Sequence, residues 1–224
     1  MSAGAALEAI KAGLTQVAAL KGGWAAWLGG NYPVEGKAIV ESPVGSAPLA
    51  GEKGDPEALV TIVEYTDYQC GYCGRHALQT MPQIQGTYID TGQVHYVLKD
   101  FPLSFHANAE PAAVAARCAG AQDAYWSMHD QLFQQQTYWG GLDKAKLPET
   151  FAGYAGGLGL DVAAFEACLA SGEFDEAIEA NLWEGQQSGV QGTPSFLING
   201  RLLVGAYPFE EFQKRIEAAL LSNP

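Results

Sequence analysis

Leu59-Val60-Thr61-Ile62-Val63-Glu64-Tyr65-Thr66-Asp67-Tyr68-Gln69-Cys70-Gly71-Tyr72-Cys73 runs from one kind of sequence into another. Its first seven residues are β-branched and apolar, which predicts a short buried strand. Residues 74–88 lack strand alternation and predict a helix with Pro82 inside it. The pair Cys70 and Cys73 therefore falls where a strand ends and a helix begins. At a helix N-terminus the unpaired N–H groups and the dipole favour negative charge. A thiol there can ionise at about 3.5–7.5 instead of roughly 8.5. The thiolate is the form that attacks a disulfide. Cys73, one turn on, can resolve the mixed disulfide, and two intervening residues keep the sulfurs within bonding reach.

A Cys-x-x-Cys pair can also be half of a zinc site, but that use needs a second Cys/His pair at close spacing. Cys118 and Cys168 stand apart from each other, and none of the four histidines lies near either in a ligand pattern. No metal and no cofactor is expected. Gly157-Leu158-Gly159 is not a dinucleotide loop, since no strand precedes it and the third glycine is missing. The 224 residues suit one or two domains, and 48% apolar against 17% charged residues is a globular composition. With 12 Lys+Arg against 25 Asp+Glu the formal charge is −13, and no basic cluster exists to displace counterions, so nucleic acid is set aside. Anionic lipid is disfavoured on the same ground.

A second landmark is Gly192-Thr193-Pro194-Ser195-Phe196-Leu197-Ile198-Asn199-Gly200. Proline cannot donate to a ladder and belongs at the first residue of a strand or at an edge. Here it precedes a strand-like run that turns at Asn-Gly, the strongest short hairpin signal, into Arg201-Leu202-Leu203-Val204-Gly205. Thr193-Pro194 is expected to be cis and to face the Cys70 sulfur.

Strand, Cys70-Gly71-Tyr72-Cys73, helix, Thr193-Pro194 before a hairpin, and a final helix together resemble the thioredoxin superfamily. More narrowly, Ile62 to Cys70, Asp100-Phe101-Pro102-Leu103 and Tyr125 to Phe133 resemble the DsbA-type thiol-disulfide oxidoreductases. The likeness runs from about residue 55 to about 222. It implies an α/β, thioredoxin-like fold with an inserted helical cap domain. It implies that Glu64 is a buried acid serving the buried cysteine, and that Thr193 contacts thiol and substrate. Gly71 and Tyr72 would tune the thiolate, although they offer no imidazole to stabilise it. Some relatives carry a second disulfide in the cap. Cys118 and Cys168 would then be a structural disulfide worth roughly 3–4 kcal/mol by loop entropy; in a cytosolic chain each would be a buried free thiol.

Residues 57–103 and 189–224 are read as the core and residues 104–188 as the inserted helical domain. In the insertion Ala112, Ala115, Ala116 and Ala119 share one helical face; Trp126, His129, Leu132 and Phe133 form another, and Phe165, Cys168 and Leu169 a third. Residues 1–56 are read as a helix over 7–28 followed by an extended arm. His76 reads as a solvated helix residue, His95, His106 and His129 as structural. Tyr65, Tyr68 and Tyr72 are candidates for a peptide groove or for core packing.

The function expected is disulfide formation in thiol-containing protein substrates, with Cys70 the accessible nucleophile and Cys73 the shielded resolving thiol. The alternatives are an isomerase or reductase dimerising through the N-terminal arm, and a non-redox chaperone or binding module. A membrane redox partner would reset the dithiol. The cysteine pattern points to an extracytoplasmic place, periplasm or cell envelope, with the export signal not present in this chain.

Overall fold

The computed structural model describes residues 50–222. The helix expected over 7–28 and the arm as far as residue 49 lie outside the described residues. Five strands, β1 (Gly51–Lys53), β2 (Val60–Thr66), β3 (Val94–Asp100), β4 (Ser195–Ile198) and β5 (Arg201–Val204), form one mixed sheet in the order β1-β3-β2-β4-β5. β2 lies at its centre, parallel to β3 from Val60↔Val94 to Thr66↔Asp100 and antiparallel to β4 from Ile62↔Ile198 to Tyr65↔Ser195. Both faces of β2 and β3 are covered, and all but one of the seven residues in each strand are buried. Asn199 (φ 44°) and Gly200 (φ 77°) make the left-handed corner of the β4–β5 hairpin. Asn199 also accepts from Thr61 N (2.8 Å) and donates to Leu59 O (3.1 Å), tying the corner to β2.

Gly51–Lys53 is a sheet strand and not part of an arm ending at residue 56. It pairs antiparallel with Leu98, Val97 and Tyr96 of β3. Three residues, two of them charged, carry no alternation to detect, and exposed charge is how an edge strand is kept from further pairing.

The helices are α1 (Gly71–Arg75), α2 (Met81–Ile84), α3 (Ala109–Gly120), α4 (Tyr125–Gln134), α5 (Gln136–Trp139), α6 (Leu147–Gly157), α7 (Val162–Ser171), α8 (Asp175–Gln187) and α9 (Phe209–Ser222). The segment after β2 departs from a plain helix: wide π turns at His76–Thr80 and Gln85–Ile89 frame α2. Pro82 is the reason for the first. It has no N–H to bond the preceding turn, so the ladder widens and Met81 N reaches back to His76 O. No helix among the described residues is long and apolar enough to cross a membrane.

One face of the sheet packs Ile62, Tyr96 and Phe196 against Ile84, Phe212 and Ile216. The other packs Val63, Tyr65, Val97 and Leu197 against Phe101 and Val190. Gly185 lets α8 come close here, since a Cβ would meet Phe101 and Tyr65 at 2.7 and 2.8 Å. Between β2–β3 and β4, helices α3 to α8 form the insertion. Its apolar centre includes Ala112, Ala115, Ala116, Ala119, Leu132, Phe133 and Phe165. Buried ion pairs fasten it to the end of β3: Arg117 to Asp100 at 2.6 Å and Lys99 to Glu184 at 3.4 Å. Cys118 of α3 and Cys168 of α7 are joined in a disulfide, Cα–Cα 5.8 Å, across 50 residues.

Closing a loop of that length restricts the unfolded chain. Replacing both Cys118 and Cys168 with alanine should lower the unfolding free energy by about 3–4 kcal/mol. Urea unfolding of the two forms measures it, and a loss under about 1 kcal/mol would contradict the loop-entropy account.

Candidate active site

β2 ends at Thr66, and the chain turns at once into α1. Asp67, 1% exposed, makes that turn. Its Oδ1 accepts from Gln69 N (2.7 Å) and Cys70 N (3.1 Å), an Asx turn set just before the helix. Its Oδ2 accepts from Leu103 N (2.8 Å) and meets His106 Nδ1 (2.8 Å), which ties the segment after β3 to the same carboxylate. Cys70 is thereby held in extended conformation (φ −75°, ψ 119°) as the N-cap of α1. Asp67 was not singled out in the sequence, although an Asp just past the end of a strand is a readable Asx-turn signal.

The insertion grips the turn from the other side. Gln136 Nε2 donates to Tyr68 O (2.7 Å) and Cys70 O (2.9 Å). Gln69 donates to Gly140 O and accepts from Asn108 N, and the Tyr68 and Tyr125 hydroxyls meet at 2.9 Å. None of these partners is local in sequence, and no motif marks them.

The two thiols, both free, are differently placed. Cys70 keeps 6% exposure and Cys73 none, so only the first residue of the pair retains contact with solvent. The Cys70 thiol is brought down to about 5. A hydrogen bond from the Cys73 thiol contributes most, burial opposes it, and the Cys73 N–H, Thr193 and the Tyr72 N–H add to the lowering. The stabilisation thus comes from the neighbouring thiol and backbone and not from an imidazole. Cys73 is pushed well above the usual thiol range by burial, then by Cys70 and by the charge of Glu64.

Thr193-Pro194 is cis and the Thr193 carbonyl accepts from Cys70 Sγ at 3.5 Å. Gly71 has open space around its Cα, and Tyr72 is 62% exposed with the Arg75 guanidinium 5.1 Å from its ring centre. Tyr65 and Tyr68 are buried, so of the three candidate groove tyrosines only Tyr72 faces outward. Exposed aromatics nearby are Phe105, beside His106, Tyr138, two residues from Gly140, and Tyr207, beside the Ala206 carbonyl that accepts from Arg75.

Glu64 lies on β2 beneath the pair, 2% exposed. Burial lifts its carboxyl from the ordinary 4.5 to about 7, against the opposing bond from Tyr96 Oη at 2.7 Å. His76 is not a solvated helix residue. It is fully buried between Phe196 and Phe212, 3.0 Å from Tyr96 Oη. His129 is buried, while His95 and His106 pair with Glu52 and Asp67.

With this sheet order, helix-capping dithiol and proline loop, the chain is a thioredoxin-fold protein. The family profile described as thioredoxin matches residues 52–218, and the chain belongs to that family. The structure of Chlamydia trachomatis DsbA superposes with a TM-score of 0.67 at 20% identity, covering 83% of this chain and 97% of that one. The Na+/H+ antiporter NhaA 1 of Salinispora arenicola is 38% identical over 75% of this chain and 24% of its own length. A Rickettsia felis protein, provisionally named a protein-disulfide oxidoreductase, is 29% identical over 75% of this chain and 59% of its own. The chain thus spans about a quarter to three fifths of the length of these curated relatives.

The raised Glu64 carboxyl has a stability consequence. Between 4.5 and about 7 folding takes up a proton, so this group costs stability as pH rises through that window. Glu64→Gln should stabilise the reduced protein by roughly 2–3 kcal/mol at pH 8. The gain should vanish below the ordinary carboxylate range. Urea unfolding across pH checks it, and a pH-independent difference would contradict the assignment.

Proposed function

We propose that this chain is a thiol-disulfide oxidoreductase that forms disulfides in protein substrates through Cys70-Gly71-Tyr72-Cys73. The observation that carries the reading is the split between the thiols: Cys70 brought down to about 5, Cys73 pushed up. In the oxidised form a substrate thiolate attacks Cys70 Sγ. The Cys70–Cys73 bond breaks, and Cys73 leaves with the electron pair and takes a proton from the Glu64 acid. A second substrate thiolate then attacks the substrate sulfur of the mixed disulfide. Cys70 leaves as its stabilised thiolate, the substrate is oxidised and the dithiol reduced. A low-pKa leaving thiolate favours this direction.

Thr193, beside Pro194, offers its backbone to an extended substrate chain. Tyr72, Phe105, Tyr138 and Tyr207 supply exposed apolar area around the site. Glu64, Gly71, Tyr72, Thr193 and Pro194 are the tuning and substrate-contact residues, and Cys118–Cys168 is the structural disulfide. The reading includes an extracytoplasmic place, supported by that second disulfide, and a membrane redox partner that re-oxidises the dithiol. Ion exchange is not proposed, since the antiporter likeness covers only 24% of that protein.

Incubated with a reduced, unfolded protein carrying two cysteines and an oxidant, the chain should form the disulfide catalytically. Cys73→Ser should accumulate a mixed disulfide through Cys70, and iodoacetamide at mildly acidic pH should label Cys70 before Cys73. The dithiol potential should lie above the glutathione poise of about −220 to −260 mV. Trapping or labelling through Cys73 would overturn the roles, and a potential below that poise would make the chain a reductase.

A further inference from the structure

We propose that Tyr96 and His76 are positioning residues for the buried acid, a two-member donor chain that sets how readily Glu64 exchanges a proton with Cys73. The proposal rests on the disulfide-exchange reading for its catalytic consequence, but not for the chain itself.

The geometry dictates the direction of the bonds. Tyr96 carries one hydroxyl hydrogen, and its Oη lies 2.7 Å from Glu64 Oε2 and 3.0 Å from His76 Nε2. An ionised carboxylate only accepts, so that hydrogen is committed to Glu64. His76 must then donate from Nε2 to the phenol oxygen. A neutral imidazole that donates from Nε2 has a bare Nδ1, and His76 Nδ1 is a buried atom with no hydrogen-bond partner. The imidazole stays neutral, since burial and then His129 bring it down to about 3. A buried acceptor left without a partner is unfavourable, and its retention needs a compensating role. Here that role is to point one donor at Tyr96. Phe196 and Phe212, with ring centres 4.5 and 5.2 Å from the imidazole, hold the ring's position.

A donor that itself receives a hydrogen bond donates more strongly. The pair therefore favours the charged form of Glu64 and opposes the burial that raises it. Tyr96 itself stays protonated, since burial and the Glu64 charge push its phenol well up. The titratable groups around the acid are few. Tyr96 comes from β3, Cys73 and His76 from the helical segment after β2, Tyr68 from the turn, and Tyr125 and His129 from α4. Thr66 on β2 supplies a hydroxyl. β4 and α9 present Phe196 and Phe212. Of these, the Tyr68 and Tyr125 phenols feel the Glu64 charge and are held neutral by burial.

The test titrates the protonated-carboxyl infrared band of Glu64 in the reduced full chain, assigned by its loss in Glu64→Gln. Tyr96→Phe keeps the ring, removes the donor, and should raise the midpoint by about 1–2 pH units. His76→Leu should raise it by less, His76→Gln should restore part of that shift by supplying an amide donor, and His76→Leu should add nothing once Tyr96→Phe is present. Thermal melts confirm that each variant is folded. An unmoved midpoint in Tyr96→Phe, or a His76 effect that persists without the Tyr96 hydroxyl, would overturn the donor chain. The pH profile of mixed-disulfide resolution should shift with the carboxyl. If the carboxyl moves and that profile does not, the chain stands and the use of Glu64 in disulfide exchange fails.

Discussion

The Asp67 carboxylate is the constraint on which the site depends. Two of its bonds close the turn that makes Cys70 the cap of α1, and two more draw in the segment after β3. A buried carboxylate needs several donors to remain in place, and these four come from both sides of the β2–β3 crossover. The thiol is therefore aligned by the same group that joins the strand ends. Gln136, Gln69 and Asn108 complete the hold from the insertion. The inserted helices thus act on the dithiol through backbone bonds at its turn, and the Cys118–Cys168 link holds two of those helices together.

The chemistry then follows from depth. Cys70 sits at the edge of the fold, where Cys73, helix N–H groups and Thr193 all face a developing charge. Cys73 lies one turn deeper, where burial and Glu64 oppose any charge. One helical turn separates a good leaving group from a thiol that is held protonated. Glu64 is suited to exchange a proton with it because burial lifts its carboxyl into the neutral range.

Much of this was legible in the sequence, and the pattern of misses is physical. β2, the dithiol at its end and the Asn199-Gly200 hairpin are local features, each written in a few consecutive residues. The alanine face of α3 was readable from spacing of three and four. β1 escaped because three residues at an edge carry no periodicity. His76 escaped because the rings that bury it, Phe196 and Phe212, come from β4 and α9, far along the sequence. Tyr96 could be tied to Glu64 only once the β2–β3 register was known, since the register, not the sequence separation, brings strand neighbours together. Gln136 and Asn108 bind backbone carbonyls of distant segments, and such contacts leave no trace in local composition.

The central claim is that one thiol of the pair is a thiolate at neutral pH while the other is not. Ultraviolet thiolate absorbance of the reduced protein, followed from acid to alkaline pH with Cys73→Ser and Cys70→Ser alongside, tests it directly. The account requires one thiolate to appear near pH 5 and to be lost in Cys70→Ser, with the second thiol protonated well above neutrality. Two thiols titrating together near 9, or an acidic transition that survives Cys70→Ser, would contradict it.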